Sequence, residues 1–216
     1  MMKIGKNDTV IFVGDSVTDC GRSPSGEGSY NSMPYGNGYV NFTTAFFVAA
    51  HPEYDCRFIN KGCSGHTSAQ VLARLETDVL SYHPDVVTLM IGVNDAGYEF
   101  HHPADPAFLV TREQFEHNLR TLIDKITRVT PRLLLITPYL CEPDRNEPLR
   151  RKIDSFIEVY EQLAREYDLT LINTQELIDR YLQHQNTFKI AHDRVHPSDM
   201  FHMAIANAIL NEFEAE

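Results

Sequence analysis

Two pairs of polar residues in this chain have the types and spacing used in nucleophilic catalysis. Asp15 and Ser16 end an apolar run in "VIFVGDSVTDCGR", and Asp193 and His196 lie three residues apart in "HDRVHPS". A serine hydroxyl attacks a carbonyl when a base takes its proton and a third group holds that base in the right tautomer. We therefore consider Ser16 as a nucleophile, His196 as its base and Asp193 as the group that orients the imidazole. Asp15 is interpreted as a brace for the turn.

Two further segments contain groups that could stabilise an oxyanion. Fixed dipoles aimed at the developing charge serve best, such as backbone N–H groups beside glycine or a buried asparagine amide. Gly62 lies in "NKGCSGHTS" and Asn94 in "GVND", so both are candidates. Each of these polar residues also has an ordinary role in a helix cap or a turn, and taken alone the sequence leaves that role open.

An alternation of apolar strands and helical periods positions these residues. Strands are predicted at 9–13, 57–60, 85–91, 133–137 and 170–173, and helices at 39–50, 68–82, 111–130, 149–167, 175–183 and 198–214. Continuously apolar strands are typical of a sheet that is covered on both faces. We therefore predict an α/β fold, a three-layer α/β/α sandwich with a five-stranded parallel sheet and right-handed crossovers.

The polar segments follow predicted strands or precede the last predicted helix. In open parallel sheets the ligand crevice lies outside the carboxyl ends of the strands. The first three segments begin where the strands at 9–13, 57–60 and 85–91 end. We therefore expect all four segments to meet at one edge of the sheet.

The four segments resemble, in order, the four sequence blocks of the SGNH (GDSL-type) hydrolase superfamily. "GDS" matches the nucleophile block, "NKGCSG" the glycine block, "GVND" the G-x-N-D block and "DRVHP" the D-x-x-H-P block. The resemblance implies the flavodoxin-like SGNH hydrolase fold. It also implies a catalytic triad of Ser16, His196 and Asp193, with an oxyanion hole formed by the backbone N–H groups of Ser16 and Gly62 and the side chain of Asn94.

Longer stretches are similar to bacterial intracellular acetylxylan esterases of this superfamily, among them "GDSVTDCGR", "MIGVND", "TPY" and "DRVHPS". This similarity implies deacetylation of acetylated sugars or xylo-oligosaccharides through an acyl-enzyme, with no metal and no cofactor. Lysophospholipases and thioesterases use the same catalytic groups, and they stay open as alternatives. No long apolar loop flanks the candidate site, which favours a small acyl group over a lipid chain.

The contacts to a substrate are the least defined part of the prediction. Segment 22–39 is rich in Gly, Ser and Pro and is a candidate rim or lid, and segment 96–110 is a candidate second wall. Asp15, Tyr98 and His192 are the candidate substrate-binding residues.

Composition limits the remaining classes. A chain of 216 residues is expected to form a single domain, 1–216, and a net charge of −11 argues against nucleic acid as a partner. The first apolar run stops at Gly14 and is too short for a signal peptide or a membrane span, so a cytoplasmic protein without a membrane partner is expected. The four scattered cysteines are expected to be reduced and mostly buried. A homo-oligomer is expected because it is common for intracellular enzymes of this size.

Two alternatives belong to other functional classes. A metal centre would draw on the ten histidines, above all His101, His102, His192 and His196, but no H-E-x-x-H occurs and the spacing does not favour zinc. A carbohydrate-binding module without catalysis would need exposed aromatic platforms, whereas the chain has no Trp and its Tyr residues are scattered.

Overall fold

The five predicted strands form one parallel sheet. The structure of the protein is a computed structural model, which describes residues 2–23 and 33–215. The strands are, in chain order, β1 (Met2–Ile4), β2 (Thr9–Gly14), β3 (Arg57–Gly62), β4 (Val86–Met90), β5 (Leu133–Ile136), β6 (Thr170–Ile172) and β7 (Phe213–Ala215). Strands β2 to β6 pair in the order β3-β2-β4-β5-β6, and every pair is parallel. β1 and β7 form a separate parallel pair.

Helices connect successive strands of this sheet. They are α1 (Ser16–Asp19), α2 (Tyr39–Ala50), α3 (Ser68–Asp78), α4 (Val93–His101), α5 (Arg112–Thr127), α6 (Pro148–Tyr167), α7 (Thr174–Leu182), α8 (Thr187–Ile190) and α9 (Asp199–Glu212). Single 3₁₀ turns occur at Pro52–Tyr54, Leu80–Tyr82 and Pro106–Phe108.

Apolar residues on the two faces of the sheet pack against helices on both sides. In β2, Ile11 and Val13 pack with helices α3, α4, α5 and α6, whereas Val10 and Phe12 pack with α2, α7 and α9. All residues of β4 are buried, as expected for a central strand of a sheet with two covered faces. The three-layer α/β/α sandwich with a five-stranded parallel sheet is therefore confirmed.

The carboxyl ends of three neighbouring strands are level with one another. Gly14 at the end of β2 lies opposite Gly62 of β3 on one side and opposite Met90 of β4 on the other. The polar segments that follow these strands therefore begin at the same edge of the sheet.

Three predicted elements differ from the observed ones. The helix expected at 198–214 ends at Glu212, because the next three residues leave it to pair with β1. The helix expected at 68–82 ends at Asp78, and a separate 3₁₀ turn follows. Segment 96–110, the candidate second wall, begins within a helix that was not predicted, since α4 continues to His101. Residues 24–32 of the predicted rim loop lie outside the described residues.

The four cysteines are all free thiols, but they are not mostly buried as predicted. Only Cys141 is buried, whereas Cys20, Cys56 and Cys63 are half-buried. The reason is that these three lie at element ends, where packing covers only part of a side chain. Among the helices of residues 2–23 and 33–215, none has both the length and the apolar character needed to cross a bilayer.

One histidine is buried in the layer formed by α2 and α9. The side chain of His202 on α9 is 3 % exposed, and its Nδ1 accepts a hydrogen bond from the Tyr39 backbone N–H at 3.1 Å. Its Nε2 lies 3.4 Å from the Cys20 sulfur. Burial lowers the pKa of His202 to about 4, so the folded chain holds this imidazole in its neutral form.

The buried neutral imidazole makes stability depend on pH. In the unfolded chain a histidine takes up its proton near pH 6.5, so between pH 6.5 and 4 the unfolded state binds more protons and acid destabilises the fold. We expect the stability difference between the parent and His202→Gln to fall by about 2 kcal/mol from pH 7 to pH 5, measured by urea unfolding. His184→Gln, at an exposed position, is the matched control. If the stability difference between the parent and His202→Gln were the same at both pH values, a neutral, buried His202 would be contradicted.

Candidate active site

Ser16 is presented by a sharp turn at the end of β2. Gly14 cannot carry a side chain, because an added Cβ would lie 2.6 Å from the Met90 carbonyl oxygen of the neighbouring strand. The turn places Ser16 as the first residue of α1, so its backbone N–H has no partner within the helix. Ser16 is half-buried, which leaves its hydroxyl accessible to a substrate.

A continuous chain of hydrogen bonds runs from Ser16 to an acidic residue. Ser16 Oγ lies 2.7 Å from His196 Nε2, and His196 Nδ1 lies 2.6 Å from Asp193 Oδ2. The second oxygen of Asp193 accepts the backbone N–H groups of Val195 and His196 at 3.0 and 2.7 Å. The structure thus brings together a hydroxyl, an imidazole and a carboxylate that are up to 180 residues apart in the sequence.

The Asp193 carboxylate is held in its charged form. Partial burial alone would raise the pKa of Asp193, but the hydrogen bonds from the His196 side chain and from the two backbone N–H groups outweigh it and lower the pKa below its ordinary value. An acceptor-only carboxylate fixes the proton of His196 on Nδ1 and leaves Nε2 free to accept the Ser16 proton.

Asp15 does not lie where a substrate could contact it, contrary to the prediction. Its side chain is 2 % exposed and caps α1, where Oδ1 accepts the Val17 backbone N–H at 3.0 Å. Burial raises the pKa of Asp15 to about 7, with the Val17 hydrogen bond acting in the opposite direction. Asp15 therefore braces the turn that presents Ser16.

Asn94 lies in the first turn of α4 and directs its amide toward the glycine loop. Its Nδ2 donates to the His66 carbonyl at 2.9 Å. The amide group carries two N–H donors, and its second one has no acceptor among the residues that the structure describes. That N–H is therefore available for the oxyanion role expected from the sequence.

The predicted use of the Gly62 backbone N–H is contradicted by the structure. This N–H already donates to Asn60 Oδ1 at 2.8 Å, so it has no free proton to offer an oxyanion. Gly62 is a glycine for a packing reason, since an added Cβ would lie 2.1 Å from the Asp19 backbone nitrogen. Its role is to let the end of β3 approach α1.

Gly65, three residues further along, has the properties expected of an oxyanion donor. It adopts a φ of +80°, and no acceptor for its N–H lies within 2–23 or 33–215. The next residue, His66, accepts the amide of Asn94. Of the two glycines in "NKGCSG", the sequence favoured Gly62, whereas the N–H without a described acceptor is that of Gly65.

The two other predicted substrate-binding residues are Tyr98 and His192. Tyr98 is half-buried and donates its O–H to the Gly65 carbonyl at 2.5 Å, while its ring packs edge-on against Phe108. Tyr98 thus supports the glycine loop through its hydroxyl. His192 is exposed, and its ring meets Phe188 edge-on at 5.1 Å, one residue before Asp193.

A small cavity lies among residues that neighbour the serine, the asparagine and the histidine. Its volume is about 10 Å³, room for a single water molecule. The lining is mostly apolar and consists of Asp15, Val17, Met90, Ile91, Val93, Pro138, Tyr139 and Val195. Within the described ranges no group of three or more His, Cys, Asp or Glu side chains is placed to hold a metal ion.

Known proteins are similar to this chain over its whole length. Residues 12–204 match the GDSL-like lipase/acylhydrolase family. A curated relative, an acetylxylan esterase from Geobacillus stearothermophilus, is 37% identical over 216 residues, which is 100% of this chain and 98% of the relative. The crystal structure of an acetylxylan esterase from the same organism matches with a TM-score of 0.92 at 37% identity, covering 98% of this chain and 96% of the other.

Other solved structures have the same fold. The crystal structure of an alpha/beta hydrolase enzyme from the metagenome of Lake Arreo matches with a TM-score of 0.91 at 35% identity, and the match covers 96% of this chain and 95% of the other. The Geobacillus enzyme has also been solved as catalytic mutants in which a serine, an aspartate or a histidine is changed to alanine. The family match covers most of the chain and the curated relative matches all of it, so the chain belongs to the GDSL-like lipase/acylhydrolase family.

Proposed function

We propose that this protein is a serine esterase that removes acetyl groups from acetylated saccharides. The observation that carries the proposal is the chain of short hydrogen bonds from Ser16 Oγ through His196 to Asp193. The full-length similarity to an acetylxylan esterase supports the choice of substrate. We assign Ser16 as nucleophile, His196 as general base and Asp193 as the group that orients the imidazole.

Acylation follows from this arrangement. Ser16 Oγ attacks the ester carbonyl carbon while its proton moves to His196 Nε2, and Asp193 stabilises the imidazolium that forms. The backbone N–H groups of Ser16 and Gly65 and the amide of Asn94 stabilise the oxyanion. The tetrahedral intermediate then collapses, His196 protonates the leaving sugar hydroxyl, and the acetyl group stays on Ser16.

Deacylation repeats the same steps with water. His196 Nε2 takes a proton from water, which attacks the acetyl carbonyl, and the same donors stabilise the second oxyanion. Collapse of this intermediate breaks the bond to Ser16 Oγ, and the proton on His196 returns to the serine. The products are acetate and the free enzyme, and none of these steps calls on a metal or a cofactor.

The full-length similarity to an acetylxylan esterase also supports a short acyl group, because acetyl is the group that such an enzyme is named for removing.

A substrate panel tests the proposal. We expect kcat/KM for the acetyl ester of a chromogenic alcohol to exceed that for the octanoyl ester by roughly tenfold or more, because each badly accommodated group costs about 1–3 kcal/mol. We also expect acetate release from acetylated xylo-oligosaccharides. Ser16→Ala is the control for background hydrolysis. Faster turnover of the octanoyl ester would instead favour a lysophospholipase or thioesterase.

We also propose that the chain forms a single domain over 1–216, and that it acts as a homo-oligomer in the cytoplasm. Free thiols at all four cysteines support a reducing compartment. Exposed apolar side chains on α2, such as Phe46 at 62 %, support self-association. Light scattering of the purified protein measures the oligomeric state.

A further inference from the structure

The side chains of the histidine and the aspartate of the site are too exposed for packing alone to fix their positions. Their side chains are 55 % and 52 % exposed for His196 and Asp193, respectively. Packing therefore covers only part of each side chain. Rotation at either residue would lengthen the contacts to Ser16 and between the pair, so the backbone that connects them must be fixed.

Only Arg194 and Val195 separate the acid from the base, and both of their carbonyls are bound from outside the loop. The Cys141 backbone N–H donates to the Arg194 carbonyl at 2.8 Å. The hydroxyl of Tyr139 donates to the Val195 carbonyl at 2.7 Å. Both donors lie in the segment that follows β5, where residues 137–141 are buried. The core thus holds the connecting backbone through two hydrogen bonds.

Tyr139 is itself a rigid and permanent donor. Its side chain is 2 % exposed, and its ring packs edge-on against Phe201 of α9 with centroids 5.3 Å apart. Burial raises the pKa of Tyr139 well above its ordinary value, so the hydroxyl keeps its proton at any working pH. The hydroxyl can therefore donate to the Val195 carbonyl across the working pH range.

The side chain of Arg194 also connects this segment to the rest of the protein, through ion pairs with two glutamates. Arg194 adopts a φ of +71°, a conformation that an arginine takes at a cost. Its guanidinium contacts Glu142 at 2.9 Å and Glu147 at 3.5 Å. This pair is partly exposed, so we expect it to contribute less than the buried hydroxyl of Tyr139.

We propose that Tyr139 is a positioning residue for the esterase reaction, which holds the Asp193–His196 turn in register with Ser16 through the Val195 carbonyl. The proposal rests on the function proposed above. Tyr139 does not contact the reacting atoms, and so it acts on the turnover step and leaves substrate affinity unchanged. A small displacement of a general base is sufficient to lower turnover by a large factor.

The test is Tyr139→Phe, which removes one oxygen and keeps the ring. We expect kcat for a chromogenic acetate to fall by about 10- to 100-fold with KM changed by less than about twofold. We also expect the far-downfield proton NMR signal of the His196 Nδ1–H, shared with Asp193, to shift or broaden. Tyr167→Phe is the matched control, because it removes a hydroxyl that donates to Asp124 at 2.8 Å near the far end of α6.

Two results would overturn the proposal: a kcat within about twofold of the parent, or a lower kcat with an unchanged downfield signal. Should Tyr139→Phe be too unstable for kinetics alone, both it and the parent are measured in sucrose, which stabilises the folded state, and the same fall in kcat is expected. Inactivity of the parent enzyme would sink the proposed function instead. The NMR comparison does not need activity, so it still decides the role of Tyr139.

Discussion

Replacing Ser16 with alanine is expected to lower kcat for acetyl ester hydrolysis by about 10⁴-fold or more. The change removes the nucleophilic oxygen, which lies 2.7 Å from His196 Nε2, so no acyl-enzyme forms. The fold should persist, because the turn is held by the Asp15 cap and by Gly14, neither of which is altered. Hydrolysis of a chromogenic acetate under saturating substrate measures the effect.

Ser81→Ala is a suitable companion variant for this measurement. Ser81 is exposed and donates to the Thr77 carbonyl at 2.7 Å beside the end of α3, on a part of the surface that the proposed mechanism does not use. We expect it to retain the activity of the parent. If Ser16→Ala kept more than a small fraction of the turnover, the assignment of the nucleophile would be wrong.

Replacing Asp193 with asparagine is expected to lower kcat by about 10⁴-fold, through a change of tautomer. The carboxylate only accepts hydrogen bonds, whereas an amide can turn its NH₂ toward His196 Nδ1 and move the imidazole proton to Nε2. A protonated Nε2 cannot take the proton of Ser16. The amide oxygen can still accept the Val195 backbone N–H, so the turn should keep its shape.

The kinetic comparison needs an aspartate in a similar turn away from the site. Asp144 accepts the Asn146 backbone N–H at 2.9 Å in an exposed loop, and Asp144→Asn should leave kcat unchanged. Equal activity of Asp193→Asn and the parent would mean that Asp193 only shapes the turn, which is the ordinary role that the sequence leaves open.

The sequence predicted the general plan of the fold and most of the polar residues at the site. Apolar strands followed by polar segments are local features, and parallel sheets bring the residues after their strands to one edge. Ser16 and Asn94 could be located in this way because each follows a strand directly. The Gly62 N–H could not be recognised as occupied, since that depends on the side chain of Asn60 folding back onto it.

Helix α4 and the pair of terminal strands could not be predicted for different reasons. The stretch 93–101 contains a glycine and several polar residues, and it is helical because Val93, Ala96 and Gly97 are buried against the core. β1 and β7 have three residues each and pair across almost the whole chain, so no local pattern marks them. Tyr139 gave no signal either, because its contact to Val195 joins segments 56 residues apart.

The exposure of the His196 and Asp193 side chains has a consequence for the fate of the acetyl group. Because more than half of the His196 side chain is exposed, we expect small hydroxyl compounds to compete with water as acceptors of the acetyl group. Hydrolysis and acyl transfer are then competing branches from one covalent intermediate. In concentrated glycerol or sugar, the acetyl group would pass in part to a new alcohol, so the same site would catalyse transesterification.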